Sequence, residues 1–537
     1  MKLNLEGLQD KQAWAEAGIA LPAYDVAAVQ AKTKESPRWV HFGIGNIFRI
    51  FLGGIADDLI ARGQMDTGIT CVEAFDYDIV DQIYAPHDNL CLGVTLHKDG
   101  TMDKRVIGSL AECMKAKSDD AASWERLKEI FRAPGLQMVS FTITEKGYGL
   151  YKTDGTYLDY VRRDIENGPA APAGAMAVVT AMLLERYEAG GRPLTLSSMD
   201  NCSHNGALLR ASVLTTAQEW EKRGFVGGDF LSWLQDETKV SFPWSMIDKI
   251  TPRPADFVGE ALTKDGVEGQ DILVTSKKTY IAPFVNAEGP QYLVIEDHFP
   301  NGRPPLEEAG VYMTDRDTVN QSERMKVTAC LNPIHTALAP YGMLLGYEYF
   351  ADLMDDPELK VLAHEVGYTE GLPCVDAPKI FSPKAFLDEV INERMSNKYL
   401  GDTTARICTD SSQGVGVRFG ETIRSYVQKD GTAAGLEAIP LALAGWLRYF
   451  YAVDDEGKPF SLAPDPLAGE LHDAVSRVKL GDPDSLTDQL HGILSNREIF
   501  GSDLYEAGVA QKIEMYFKEE IAGPGAVRAA LKRHLQR

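Results

Sequence analysis

The chain has 537 residues, of which 44 % are apolar and 25 % charged, with a net charge of -24 and a pI near 4.9. Such proportions belong to an ordinary soluble globular protein, and the length suits two to four domains with large cores. The acidic balance argues against nucleic acid or an anionic membrane as partner, but leaves room for a small anionic substrate in a local basic pocket.

Residues 1–37 read as helical or irregular lead-in. The start, Met-Lys-Leu-Asn-Leu-Glu-Gly, has no signal-peptide pattern, and no stretch approaches 18 consecutive apolar residues, so no membrane span is expected. The seven cysteines are scattered and form no C-x-x-C pair, which argues against a structural metal or a disulfide framework and fits a reducing cytoplasm.

The next stretch is Arg38-Trp-Val-His-Phe-Gly43-Ile-Gly45-Asn-Ile-Phe48-Arg49, followed by an apolar run. A short strand, a Gly-x-Gly turn and a helix in this order make the first unit of a dinucleotide site, where glycines let backbone approach a pyrophosphate. The third glycine of the usual fingerprint is absent, and Phe48 stands in its place. Gly68-Ile-Thr-Cys-Val-Glu73-Ala-Phe-Asp76 reads as a second strand ending in acid. A carboxylate there can bond the ribose diol of NAD and would repel the 2′-phosphate of NADP; Glu73 is the first candidate and Asp76 the second.

Two further strands are expected at 136–144 and 193–199. They lead into Glu145-Lys146-Gly147-Tyr148 and into Asp200-Asn201 with Asn205-Gly206. Polar clusters beyond the carboxyl ends of strands sit where an open α/β sheet places its ligand. Strands alternating with helix-like runs such as 170–186 predict an α/β fold with a mostly parallel sheet and covering helices. The motif at 242–252 and strands within 270–300 follow. A boundary is expected near 300–320, dividing the chain into residues 1–310 and 311–537, and helical periodicity dominates beyond it. Helices are read over 327–354, 383–395, 433–453, 466–480 and 509–536.

The stretch Lys326-Val-Thr-Ala-Cys-Leu-Asn332-Pro-Ile-His335 holds a lysine, a carboxamide and an imidazole in an apolar setting. Lost hydration lowers a lysine's pKa toward neutrality, where it can exchange protons. The amide of Asn332 can stabilise an oxyanion, and His335 can hold a hydroxyl. On a regular helix nine residues turn about 180°, which would set Lys326 and His335 on opposite sides. One extra residue absorbed as a π-bulge reduces this to about 80°, so a bulge or break is predicted between Lys326 and Asn332.

These motifs together resemble the long-chain polyol-specific dehydrogenases, the mannitol dehydrogenase family. The matching pieces are Gly43–Arg49, Thr142–Tyr148, Met199–Asn201 with Asn205-Gly206, Met246–Pro252, Lys326–His335 and Ala405–Ser412. Within the family the details at 330–339 and 417–423 are most similar to its fructuronate reductases. The resemblance implies a Rossmann-like N-terminal domain, a mainly α-helical C-terminal domain, and metal-independent hydride transfer between NAD and an open-chain sugar acid or polyol. It implies Lys326 as general acid/base, Asn201 and Asn332 as the amides that polarise the carbonyl, and His335 as a substrate-binding catalytic residue. It further implies Asp248 and Arg406 on the substrate side, Glu323 on a proton exit, and Gly43, Gly45, Phe48, Arg49 and Glu73 on the cofactor side. A monomer or loose dimer is expected.

Fructuronate reduction to mannonate is the expected reaction, with the mannitol–fructose couple or tagaturonate reduction as alternatives. Oxidation by such an enzyme should speed up as pH rises through the lysine's lowered pKa. Two readings from other classes are a metal-dependent sugar isomerase or epimerase, and a non-catalytic NAD-binding protein. The latter is motivated by Gly414, which stands where the family pattern implies a substrate-contacting lysine; Arg418 or Lys249 could supply that charge instead.

Overall fold

The structure is a computed structural model that describes residues 1–536. The chain divides into two compact units. The first comprises Met1–His97 and Thr101–Asn320; the second comprises Lys98–Gly100 and the residues from Gln321 onward.

Six parallel strands form the main sheet of the first unit: β1 (Trp39–Phe42), β2 (Ile69–Glu73), β3 (Leu110–Lys115), β4 (Met138–Phe141), β5 (Leu194–Ser198) and β6 (Val240–Ser241). Their spatial order is 3-2-1-4-5-6, each pair parallel. This is the doubly wound order, whose direction reverses beside β1 and opens a crevice at the strands' carboxyl ends. Every residue of β1, β2, β4 and β5 is buried, as a sheet covered on both faces requires.

The strand β3 escapes a reading of the sequence. Leu-Ala-Glu-Cys-Met-Lys alternates weakly and has helix-favouring composition, yet an edge strand needs to bury only part of its surface. A second, mixed sheet pairs Ile19–Ala20, Met102–Ile107, Cys91–Leu96 and Phe284–Glu288. Its strands Ile19–Ala20, Cys91–Leu96 and Met102–Ile107 are absent from the sequence reading, while Phe284–Glu288 falls in the segment read as strands. A three-stranded sheet joins Ser245–Asp248, Tyr292–Glu296 and Tyr312–Thr314.

The second unit is helical among its described residues. Its centre is α1 (Asn332–Leu344), packed on α2 (Ala438–Tyr449), which packs in turn on α3 (Ala510–Glu520). The contact of α1 and α2 is close because residue 445 is glycine: a Cβ there would lie 2.3 Å from Tyr341 Cζ. The Tyr341 hydroxyl lies 2.8 Å from Leu441 O and 2.6 Å from Glu520 Oε1, two acceptors for its one proton. No Ser, Thr, Asp or Asn precedes α2. Its first N–H groups, those of Glu437, Ala438 and Ile439, donate instead to the Glu370 carboxylate at 2.6–2.8 Å. These contacts fix the axis of α1, the helix that carries Asn332 and His335.

Candidate functional site

In the first unit the turn after β1 is shaped by its glycines. Gly43 has φ +90°, and a Cβ there would collide with the Thr142 carbonyl. Gly45 is different: its Cβ would meet no atom within 4 Å. Gly43 is therefore glycine for the protein's own packing, while Gly45 leaves open space over the turn, as close approach by a ligand backbone demands. Beneath lies a buried polar chain. His41 Nδ1 is 2.7 Å from Ser140 Oγ, which also accepts from Trp39 Nε1 at 2.7 Å. His41 Nε2 is 2.9 Å from Thr142 Oγ1, which donates to Gly43 O at 2.7 Å. Burial pushes the His41 pKa down to about 3, so the imidazole is neutral and acts as a fixed strut. Phe48 stacks on it with ring centroids 4.0 Å apart.

Arg49 and Glu73 hold this turn from within. Arg49 is buried, donating from Nη1 to Ala282 O at 2.7 Å and from Nη2 to Asn46 Oδ1 at 2.8 Å. Glu73, at the end of β2, accepts from the N–H groups of Ala74, Phe75 and Asp76 at Oε1, and from Ile44 N–H at 3.3 Å at Oε2. The Ile44 bond ties β2 to the middle of the glycine turn. Burial raises the Glu73 pKa, opposed by the Phe75, Asp76 and Ile44 N–H groups. Asp76 is buried as well and accepts from Thr275 Oγ1 at 2.6 Å, docking the 273–281 hairpin beside the same loop.

The carboxyl end of β5 is pinned just as firmly. Asp200 accepts from Ile143 N–H, Thr144 N–H and the Tyr148 hydroxyl at 2.5–2.9 Å. Burial raises its pKa, and these donors oppose that rise. Asn205 is fully buried and bridges Asp200 O to Ser245. A Cβ on Gly206 would lie 2.7 Å from both the Phe242 and Pro243 carbonyl oxygens. Asp200, Asn205 and Gly206 thus hold the loop that exposes Asn201. Asp248 ends the strand Ser245–Asp248 and is buried. Lys249 donates to Glu288 O at 2.8 Å.

In the second unit the break predicted from helical phase is present. The helix Arg316–Met325 passes into a π-turn over Lys326–Cys330, and Leu331 departs from helical geometry at φ -128°, ψ -67° before α1 begins at Asn332. Lys326 is buried at the head of that turn. Glu323, half-buried, precedes it by one helical turn. Asn332, half-buried, opens α1 with Pro333 behind it, where a missing N–H costs nothing. His335 packs against Phe350, ring centroids 4.8 Å apart. Arg406 is well exposed and paired with Asp402. Arg418 ends the helix Ser411–Arg418 and donates from Nη1 to Thr336 Oγ1 at 2.8 Å. Among the described residues no three His, Cys, Asp or Glu side chains are placed to hold a metal ion.

Comparison with known proteins matches residues 37–308 to the mannitol dehydrogenase Rossmann domain and residues 318–520 to the mannitol dehydrogenase C-terminal domain. The chain is 50 % identical over 535 residues to a D-mannonate oxidoreductase of Thermotoga maritima, covering 99 % of this chain and 98 % of that one. Among solved structures it is similar to Pseudomonas fluorescens mannitol 2-dehydrogenase in a ternary complex with NAD and D-mannitol, with TM-score 0.71 and 27 % identity over the whole of both chains. It is also similar to a substrate-free D-sorbitol dehydrogenase, with TM-score 0.78 and 26 % identity over 96 % of this chain and 97 % of that one.

Proposed function

Because this chain belongs to the mannitol dehydrogenase family, we propose that it is an NAD-dependent oxidoreductase of an open-chain sugar acid, interconverting D-fructuronate and D-mannonate. The observation that carries the chemistry is the buried Lys326 at the head of a π-turn that precedes the helix opened by Asn332. The substrate class rests on the full-length similarity to a D-mannonate oxidoreductase.

The residues present fit the cofactor. The open space over Gly45, the positive φ of Gly43 and the parallel 3-2-1-4-5-6 sheet make the cradle that a dinucleotide pyrophosphate needs. Phe48, Arg49 and Glu73 hold that cradle in shape, and Glu73 stands at the strand end where the ribose diol is read. A nicotinamide cofactor held there would supply the hydride that reduces the substrate's ketone carbon.

The chain's own groups handle the charge and the proton. As negative charge grows on the ketone oxygen, the amides of Asn201 and Asn332 stabilise it, each worth about 2.7–4 kcal/mol by analogy with oxyanion-hole donors. Protonated Lys326 donates its proton to that oxygen, and the neutral amine takes it back in the oxidative direction. Glu323, one turn earlier on the same helix, lies on the route by which the proton reaches solvent. His335 and Asp248 hold substrate hydroxyls, and Arg406 lies at the substrate side of the second unit.

The test follows NADH absorbance with purified protein in EDTA, offering D-fructuronate, D-tagaturonate and D-fructose side by side. Fastest turnover of D-fructuronate is expected. Turnover of D-fructose alone would move the chain to the mannitol branch. Loss of activity to EDTA would favour metal-dependent chemistry, and NADH binding without turnover would mark a non-catalytic protein.

A further inference from the structure

Gly414 and Arg418 stand one helical turn apart on the helix Ser411–Arg418. An ideal Cβ on residue 414 would lie 2.8 Å from Arg418 Cζ and Nε and 3.2 Å from Nη1. The guanidinium thus occupies the space a side chain at 414 would fill. Glycine at this position is what lets Arg418 fold back along its own helix.

The guanidinium is held over a particular face of α1. Its Nη1 donates to Thr336 Oγ1 at 2.8 Å, and that hydroxyl donates to Asn332 O at 2.9 Å. Asn332, His335 and Thr336 are at i, i+3 and i+4 of one helix, so they share a face. Arg418 is therefore fastened beside the two residues that the proposed mechanism assigns to the substrate.

Its charge is unmatched among the described residues. Among the described residues no carboxylate forms an ion pair with Arg418, and the Thr336 bond is its one hydrogen bond. Arg406 contrasts with it, being more exposed and already paired with Asp402. Burial pushes the Arg418 pKa below its ordinary value, with no acidic group opposing the shift. A half-buried guanidinium with spare N–H donors and no acid partner is matched to an incoming anion, and its planar fork suits a carboxylate.

We propose that Arg418, seated on Gly414 and anchored to Thr336, binds the substrate's carboxylate and sets the preference for a sugar acid over a neutral polyol. This inference rests on the sugar-acid reading above. The arrangement also accounts for glycine at 414: a lysine there would displace the arginine rather than add to it.

The experiment measures kcat and KM for D-fructuronate and for D-fructose in wild type, Arg418→Gln, Arg418→Lys and Gly414→Ala, with NADH binding followed by fluorescence. Arg418→Gln is expected to raise KM for D-fructuronate about 100-fold, with a smaller change in kcat. The ratio of kcat/KM for D-fructuronate to that for D-fructose should fall by a similar factor. Arg418→Lys should recover part of the loss, and Gly414→Ala should raise the same KM by pushing the guanidinium aside. An equal fall for both substrates, unrelieved by Arg418→Lys, would overturn the proposal in favour of a structural role. An unchanged KM for D-fructuronate in Arg418→Gln would overturn it while leaving the sugar-acid reading intact. Wild type inactive on every sugar acid would overturn both.

Discussion

Leu331 donates its backbone N–H to the carbonyl oxygen of Lys326 at 3.1 Å, five residues back instead of four. This wider turn absorbs one residue and changes the phase between Lys326 and the helix that carries Asn332 and His335. Deleting Thr328 should restore a regular α-turn and rotate Lys326 by about 100° relative to His335. The expected result is a folded protein whose turnover drops at least about 100-fold, since the proposed catalytic groups would then miss their geometry. Circular dichroism and steady-state rates on the deletion variant check this, and full activity would refute the role assigned to the π-turn.

Glu73 satisfies four backbone N–H groups, including that of Ile44 in the glycine turn. Glu73→Ala leaves those donors without their acceptor, at about 1–3 kcal/mol for each one kept from water. Thermal stability and NADH affinity should fall together, with affinity down at least about tenfold as the turn loosens. Glu73→Gln, which retains one carbonyl acceptor, should fall in between. A fluorescence titration with NADH that gives the same affinity for Glu73→Ala and wild type would contradict this.

Glu520 gives a pH-dependent contribution to stability. It is fully buried beneath Tyr341, and burial pushes its pKa up to about 8, opposed by the Tyr341 hydroxyl and by Arg448. A carboxyl whose folded pKa is raised stabilises most below its unfolded pKa of about 4.3. That stability is lost as pH rises through the folded value near 8. Glu520→Gln removes the ionisation and keeps an acceptor for Tyr341. The variant's Tm should therefore gain on wild type as pH rises from about 5 to about 8, with the gap flat above that. Parallel Tm curves across this range would show that the folded pKa of Glu520 is not raised above its unfolded value.

Gly43→Ala meets two obstacles at once, a positive φ and the Thr142 carbonyl. It should destabilise the first unit by about 1–3 kcal/mol or more, because backbone cannot yield as a flexible side chain would. Gly45→Ala has open space around it and should leave Tm nearly unchanged while weakening NADH binding. Opposite ranking of the two variants in Tm would contradict the division of labour between these glycines.

Much of the positioning was legible because local signals and global structure agree. The runs ending at Phe42, Glu73, Phe141 and Ser198 are short, mostly apolar or β-branched segments closed by turn residues, and each is a buried parallel strand. The irregularity after Lys326 follows from helical phase together with Pro333, which has no N–H to give. What stayed hidden depends on partners distant in sequence. Strand β3 is recognisable only through its pairing with β2. The cap of α2 comes from Glu370, 67 residues before Glu437. For Glu73 and Arg49, sequence indicates proximity to the glycine turn, but only the structure shows their side chains bonded to the protein itself. The significance of Gly414 likewise becomes physical once Arg418 is seen lying where a side chain would go.

The most direct test of the central claim, that Lys326 moves the substrate's proton, is chemical rescue of Lys326→Ala by small primary amines. The variant should bind NADH normally, turn over D-fructuronate at least about 1,000-fold more slowly than wild type, and speed up with added amine in step with the amine's basicity. A variant that retains wild-type rates, or one whose residual rate ignores every amine while the protein remains folded, would contradict the assignment.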